Sequence, residues 1–194
     1  MQQQFYKDAI SASIFNYISK ASQELDIKSY VIGGFVRDYL LERGTAKDVD
    51  VVAVGSGIEL AEKVAEILPT KPKVQVFKTY GTAMLRYKDI EIEFVGARKE
   101  SYSEESRNPE VKEGTLQDDQ NRRDFTINAL ALSLNKEDFG LLLDSFNGVK
   151  DLKAKIIRTP LEPNITYSDD PLRMMRAIRF ASQLQLNQIV SCNF

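Results

Sequence analysis

The stretch Tyr30-Val31-Ile32-Gly33-Gly34 constrains the fold more than any other. A short apolar run stopped by two glycines, then the helical composition of residues 35–42, predicts strand, glycine turn and helix. Val49, Val51, Val52 and Val54 follow as a β-branched strand with Asp48 and Asp50 interleaved. Gly55 and Gly57 break that strand, residues 59–68 read as a helix ending at Pro69, and 74–77, 82–87 and 90–95 alternate as strands. Upstream, Ile10, Ile14, Phe15 and Ile18 recur at helical spacing, so residues 6–25 read as an amphipathic helix. The resulting order, βαβαβββ, predicts an α/β fold with a mixed sheet flanked by helices, without the regular alternation of a doubly wound sheet.

Residues 99–121 differ in kind. They are polar and charged, carry Pro109 and Gly114, and read as a long mobile loop of the sort that is often functional. Beyond them, 125–134 is densely apolar, 141–143 reads as a strand, and Pro160 and Pro163 punctuate a linker. A strong helix is expected from Asp170, with Pro171 in its first turn. We therefore expect one domain over 1–160 and the start of a helical second domain over 161–194, cut short where the chain ends.

Composition prunes the chemistry. The 194 residues include no His, no Trp and one Cys, Cys192. Triads built on imidazole, phosphohistidine transfer, zinc sites with His ligands and an intrachain disulfide are all excluded. Any metal must sit on carboxylates, which favours a hard ion such as Mg²⁺. With 26 Lys+Arg against 28 Asp+Glu, the chain is no general basic glove, and a nucleic acid would have to be met by local patches. No signal peptide and no membrane-spanning run is expected, so the cytoplasm is the default location.

Three constellations carry chemistry. Gly33 and Gly34 let backbone amides approach an anion at a helix start, and Arg37, one turn on, can reach the same anion. Asp48 and Asp50 are two apart on a strand, so both side chains leave one face, where two carboxylates repel unless a cation lies between them. A turn with two solvent-facing aspartates on an edge strand fits the same letters. Glu91 and Glu93 share one strand face and offer a third carboxylate. Arg122 and Arg123 suit triphosphate neutralisation, since guanidinium binds phosphate bidentately, although a surface charge pair with Asp124 as an N-cap is a rival. On the last helix, Asp170 and Arg173 form an i,i+3 pair able to read a base edge. Arg176 and Arg179 could hold phosphates, while Leu172, Met175 and Ile178 supply an apolar stripe. A solvated cationic helix face explains the same spacing.

Taken in order, GGFVRD, KDVDVV, RRDFTINAL, DSFNGVKDL and DDPLRMMRAIRF closely resemble the class II tRNA nucleotidyltransferase (CCA-adding) and bacterial poly(A) polymerase family, over roughly residues 28–184. The resemblance implies a nucleotidyltransferase head related to the DNA polymerase beta superfamily, followed by the first helix of an all-α neck. It implies Mg²⁺-dependent, template-independent transfer of CMP and/or AMP from CTP or ATP to an RNA 3′ end, tRNA foremost. By resemblance, Asp48 and Asp50 match the Mg²⁺ pair and Glu93 a further acidic residue. Gly33, Gly34, Arg37 and Arg123 match nucleotide contacts, and Asp170, Arg173, Arg176 and Arg179 match the base-reading pair and further nucleotide contacts. Residues 99–121 resemble the family's flexible loop, and Asp144, Gly148 and Asp151 its hinge. Family members normally continue for some two hundred residues that hold most of the RNA surface, so weak or absent RNA extension is expected of this length of chain. A poly(A) polymerase, or a nucleotide-binding module without RNA extension, stays open beside CCA addition.

Overall fold

A computed structural model of the chain describes residues 3–44, 47–103, 106–186 and 188–190. Helix α1 (Ser13–Glu24) forms where Ile14, Phe15, Ile18 and Ala21 fall on one face, and all four are buried. The predicted helix over 6–25 thus divides into a short 3₁₀ turn at Lys7–Ile10 and α1. Strand β1 (Lys28–Ile32) enters α2 (Gly34–Leu40) through Gly33, whose φ of 83° is a conformation that costs glycine little. β2 (Asp48–Val54) leads to α3 (Gly57–Ile67), capped by the Ser56 hydroxyl, which accepts the Glu59 amide hydrogen bond at 3.2 Å. β3 (Gln75–Phe77), β4 (Thr82–Tyr87) and β5 (Ile90–Gly96) follow.

The chain then forms β6 (Arg98–Ser103), β7 (Ser106–Glu113) and α4 (Leu116–Asn121) before β8 (Ala131–Ser133) and β9 (Leu142–Leu143). α5 (Gly148–Ala154), β10 (Ile156–Arg158), α6 (Pro163–Asp169), α7 (Leu172–Leu184) and β11 (Gln188–Val190) complete it. Packing groups these elements into two units, Met1–Ala97 with Ala131–Leu143, and Arg98–Leu130 with Asp144–Phe194.

The first unit is built on a mixed seven-stranded sheet in the order β3-β4-β5-β2-β1-β8-β9. β2 and β5 run parallel and every other neighbouring pair is antiparallel. On one face Val31, Val49, Val51, Ala53, Leu85, Ile92 and Phe94 are buried, and α1 and α3 pack against the sheet and against each other. Burying each large aliphatic or aromatic side chain there contributes about 1.5–3 kcal/mol. Gly57 is needed where α3 meets β5, because a Cβ there would lie 2.7 Å from the Val95 carbonyl carbon. The opposite face is buried at Tyr30, Ile32 and Val52 but opens at Asp48, Arg86 and Glu91.

In the second unit, β6 and β7 pair as an antiparallel hairpin and α4 follows, where the sequence predicts a long loop over 99–121. Backbone pairing such as Arg98↔Glu113 and Lys99↔Lys112 makes the hairpin without the apolar alternation that announces a strand. The expected linker keeps its non-helical course at Pro160, while Pro163 opens α6 at a position where its missing N–H costs nothing. β11 pairs in parallel with β10.

Candidate functional site

In the first unit, the parallel ladder places Asp48 beside Glu91 and Asp50 beside Glu93. On the far side of β5, Glu91 faces Arg86 and Glu93 faces Met84 of β4. In-register residues send their side chains to the same face, and neighbouring strands lie about 4.8 Å apart, so four carboxylates crowd one patch of sheet. Asp48 and Glu91 are exposed, while Asp50 and Glu93 are half-buried. Like charges directly opposite one another destabilise a sheet, and a cation between them relieves that cost. Among the described residues no three His, Cys, Asp or Glu side chains converge as a ready-made metal cage.

Gly33 and Gly34 stand at the start of α2, as predicted, but they are not equivalent. Gly33 is demanded by its positive φ, whereas a Cβ at Gly34 would meet Arg37 Nη2 at an ordinary 3.5 Å. Arg37 is only 8% exposed. Its Nε donates to Asp38 Oδ1 at 2.9 Å and its Nη2 to Oδ2 at 3.0 Å, a bidentate pair within the helix.

The other expected nucleotide contacts lie in the second unit, and each has a partner there. Arg123 Nε donates to Asp119 Oδ2 at 3.1 Å, and Arg122 Nε donates to Oδ1 of the same carboxylate at 3.0 Å. Arg176 reaches Asp124 Oδ2 through Nε at 2.8 Å and through Nη2 at 2.7 Å. Asp124 also accepts from the Phe125 amide at 2.8 Å and from Asn128 Nδ2 at 2.9 Å. Asp170 and Arg173 hold separate partners. The carboxylate accepts the Leu172 amide at 3.0 Å, as a helix start requires, and the guanidinium donates to the carbonyls of Thr166 at 3.3 Å and Arg122 at 2.9 Å. The guanidiniums of Arg176 and Arg179 flank the Phe180 ring at 5.3 and 5.0 Å, and Phe125 meets that ring edge-on. The buried side of α7 is Ala177, Phe180 and Leu184. The stripe of Leu172, Met175 and Ile178 is 69%, 65% and 59% exposed.

Asp119 escaped the sequence reading. Its signal was present, since Arg122 and Arg123 stand three and four residues later, the spacing at which helix side chains meet. The residues that resemble a hinge are tightly bonded. Asp144 accepts the amides of Gly148 at 2.6 Å and Val149 at 3.0 Å, and Asp151 accepts the Thr126 hydroxyl at 2.7 Å and Arg158 Nε at 3.2 Å.

A family model for the poly A polymerase head domain matches residues 29–158 of this sequence. The chain belongs to that family. It is 44% identical over 158 residues to the A-adding tRNA nucleotidyltransferase of Aquifex aeolicus (strain VF5), covering 81% of this chain and 19% of that protein. A solved structure of a CCA-adding enzyme, apo form II, superposes with a TM-score of 0.84 at 37% identity, over 97% of this chain and 45% of that one. A tRNA nucleotidyltransferase complexed with a primer tRNA and an incoming ATP analog superposes with a TM-score of 0.77 at 38% identity, over 89% of this chain and 46% of that one. The nucleotidyltransferase head fold inferred from the motifs is therefore the fold of this chain, which spans less than half the length of each of these three relatives. No helix among the described residues is long and apolar enough to cross a membrane.

Proposed function

We propose that this head-domain chain belongs to an enzyme transferring CMP and/or AMP from CTP or ATP to the 3′-hydroxyl of RNA, tRNA foremost, with release of pyrophosphate. The observation that carries this reading is the placement of Asp48 and Asp50 on one sheet face, with Glu93 in register beside Asp50. The donor set is oxygen only. Asp48 and Asp50, with Glu93 as a further carboxylate beside Asp50, suit Mg²⁺, which keeps several positions for phosphate oxygens and water. Asp48 and Asp50 would hold it, and Mg²⁺, when bound, supplies charge that polarises the α-phosphate and acidifies the RNA hydroxyl. Such chemistry needs no histidine base, in keeping with a sequence that has none.

The remaining roles in this reading follow from charge. Gly33 and Gly34 bring backbone close to the nucleotide, and Arg37 lies within one turn of them. Arg123, Arg176 and Arg179 neutralise phosphate charge as pyrophosphate leaves. Asp170 and Arg173 recognise the base edge, where a wrong base leaves donors or acceptors unpaired. For Arg176 and Arg173 the bonds to Asp124 and to main-chain carbonyls would have to be exchanged for bonds to nucleotide. A head over 1–160, the first neck residues over 161–194 and a cytoplasmic location complete the proposal.

The A-adding name of the Aquifex relative favours a narrower second reading, transfer of AMP alone. Incubating tRNA lacking CCA and tRNA ending in CC, each with CTP and ATP singly, separates the two, because incorporation from ATP onto the CC end, with none from CTP onto either, selects A addition. Asp48→Asn and Asp50→Asn should each lower transfer about 10²-fold or more while leaving the circular dichroism spectrum unchanged. Undiminished transfer in either variant removes the metal assignment.

A further inference from the structure

We propose that Asp119 is a positioning residue that presents Arg123 to the triphosphate, an inference that rests on the reading of Arg123 given above. Asp119 is 0% exposed, a carboxylate with no water to solvate it. A group so placed keeps its charge only where hydrogen-bond donors surround it. The donors are the two arginines, and they divide the carboxylate between them. Arg122 takes Oδ1 through Nε at 3.0 Å and also through Nη2, while Arg123 takes Oδ2 through Nε at 3.1 Å. Adjacent guanidiniums repel, and one shared carboxylate offsets that repulsion while setting both planes.

The two arginines are held differently. Arg122 spends its Nε and Nη2 edge on Asp119, and its carbonyl accepts Arg173 Nη2 at 2.9 Å. Arg123 is held at Nε, so the clamp makes no use of the paired Nη amines, the part of the fork that binds phosphate oxygens bidentately. The mount is itself rigid. The neighbouring Gln120 is buried, donates through Nε2 to the Ala129 carbonyl at 2.7 Å, and accepts the Ser145 hydroxyl at 2.9 Å. Thr115 and Asp118 close the front of α4 as a reciprocal capping box. A guanidinium fixed in direction before the nucleotide arrives loses less conformational freedom on binding.

Asparagine is the discriminating substitution, because it keeps the size of Asp119 but offers one acceptor oxygen where two are used, and turns an N–H₂ donor toward an arginine donor. The experiment measures the Kd of ATP, and separately of CTP, by calorimetry in Mg²⁺ on the 194-residue chain. It compares the unsubstituted chain, Asp119→Asn, Arg123→Ala and the double variant. We expect each single variant to bind about tenfold more weakly and the double variant to match Arg123→Ala within about twofold, since the clamp acts through Arg123. Asp119→Asn binding like the unsubstituted chain while Arg123→Ala weakens, or full additivity in the double variant, overturns the proposal and leaves the triphosphate contact standing. An Arg123→Ala variant with unchanged affinity overturns that contact and the proposal together. Should Asp119→Asn fail to fold, the Arg123 Nε–H resonance of the unsubstituted chain decides. A signal protected from exchange and shifted by ATP supports the clamp, and a rapidly exchanging one sinks it.

Discussion

At the scale of single residues, the arginines of this head domain are defined by the carboxylates beside them. Arg37 has Asp38, Arg122 and Arg123 share Asp119, and Arg176 has Asp124. Asp124 is the most connected of these acids, buried and bonded to a guanidinium, a side-chain amide and a backbone amide. Asp124→Ala removes the acceptor of the Phe125 amide, one acceptor of Asn128 and the counter-ion of Arg176, and should cost about 3 kcal/mol, read as a lower urea midpoint at unchanged slope. A loss below about 1 kcal/mol would show that solvent replaces the carboxylate without difficulty, because Arg176 itself is largely exposed. Part of this was legible in the letters. Asp119 with Arg122 and Arg123 is a helix spacing, but Asp124 with Arg176 joins residues fifty-two apart, and no local pattern announces that pair.

At the scale of elements, strands were legible where the sequence alternates or is β-branched and opaque where it does neither. β2, β4 and β5 carry β-branched or alternating apolar residues and fall close to their expected bounds. The hairpin of β6 and β7 is mostly polar in sequence and lacks apolar alternation, so its pairing had no apolar signature to read. α4 illustrates a signal that was present and small. Thr115 and Asp118 form a capping box, with the Asp118 carboxylate accepting the Thr115 amide at 2.9 Å and its hydroxyl at 2.7 Å. The backbone bond first, then the hydroxyl bond, hold the Asp118 carboxyl below its ordinary value of 3.8. A depressed folded value means that the unfolded chain binds the proton more readily. The cap's contribution is therefore complete above the ordinary aspartate range and is lost as pH falls through the lowered folded value. In an NMR titration the Thr115 amide shift should follow the Asp118 carboxyl, with a midpoint below 3.8. A midpoint at or above that value means the box does not form in solution.

At the scale of the whole molecule, the two units interleave along the sequence. The sheet of the first unit is completed by β8 and β9, which arrive only after the chain has built β6, β7 and α4 of the second. β8 pairs with β1 through Tyr30↔Ser133, Val31↔Leu132 and Ile32↔Ala131, and the buried Ala131 and Leu132 add to the core. A fragment of residues 1–97 therefore exposes one side of β1, a buried strand turned into an unpaired edge. Such a fragment should lose the cooperative thermal transition of the full chain by circular dichroism. Retention of a sharp transition at a comparable temperature would show that β1 to β5 suffice. The exposed stripe of Leu172, Met175 and Ile178 belongs to this scale too, since it is an apolar helix face the described residues leave in solvent.

The sequence by itself determined the class of fold, the family and the chemical inventory: strands and helices of the first unit, paired aspartates, clustered arginines and the absence of histidine. These are local or compositional properties, carried by spacing within one element or by the residues present. Tertiary structure decided which strand lies beside which, and so that Asp50 stands next to Glu93 across a parallel ladder between non-consecutive strands. It also decided that Arg176 meets Asp124 and which side of α7 is buried. Those outcomes depend on register and on burial between segments far apart in the chain, where the cost of a desolvated charge selects its partner and no neighbouring residue records the choice.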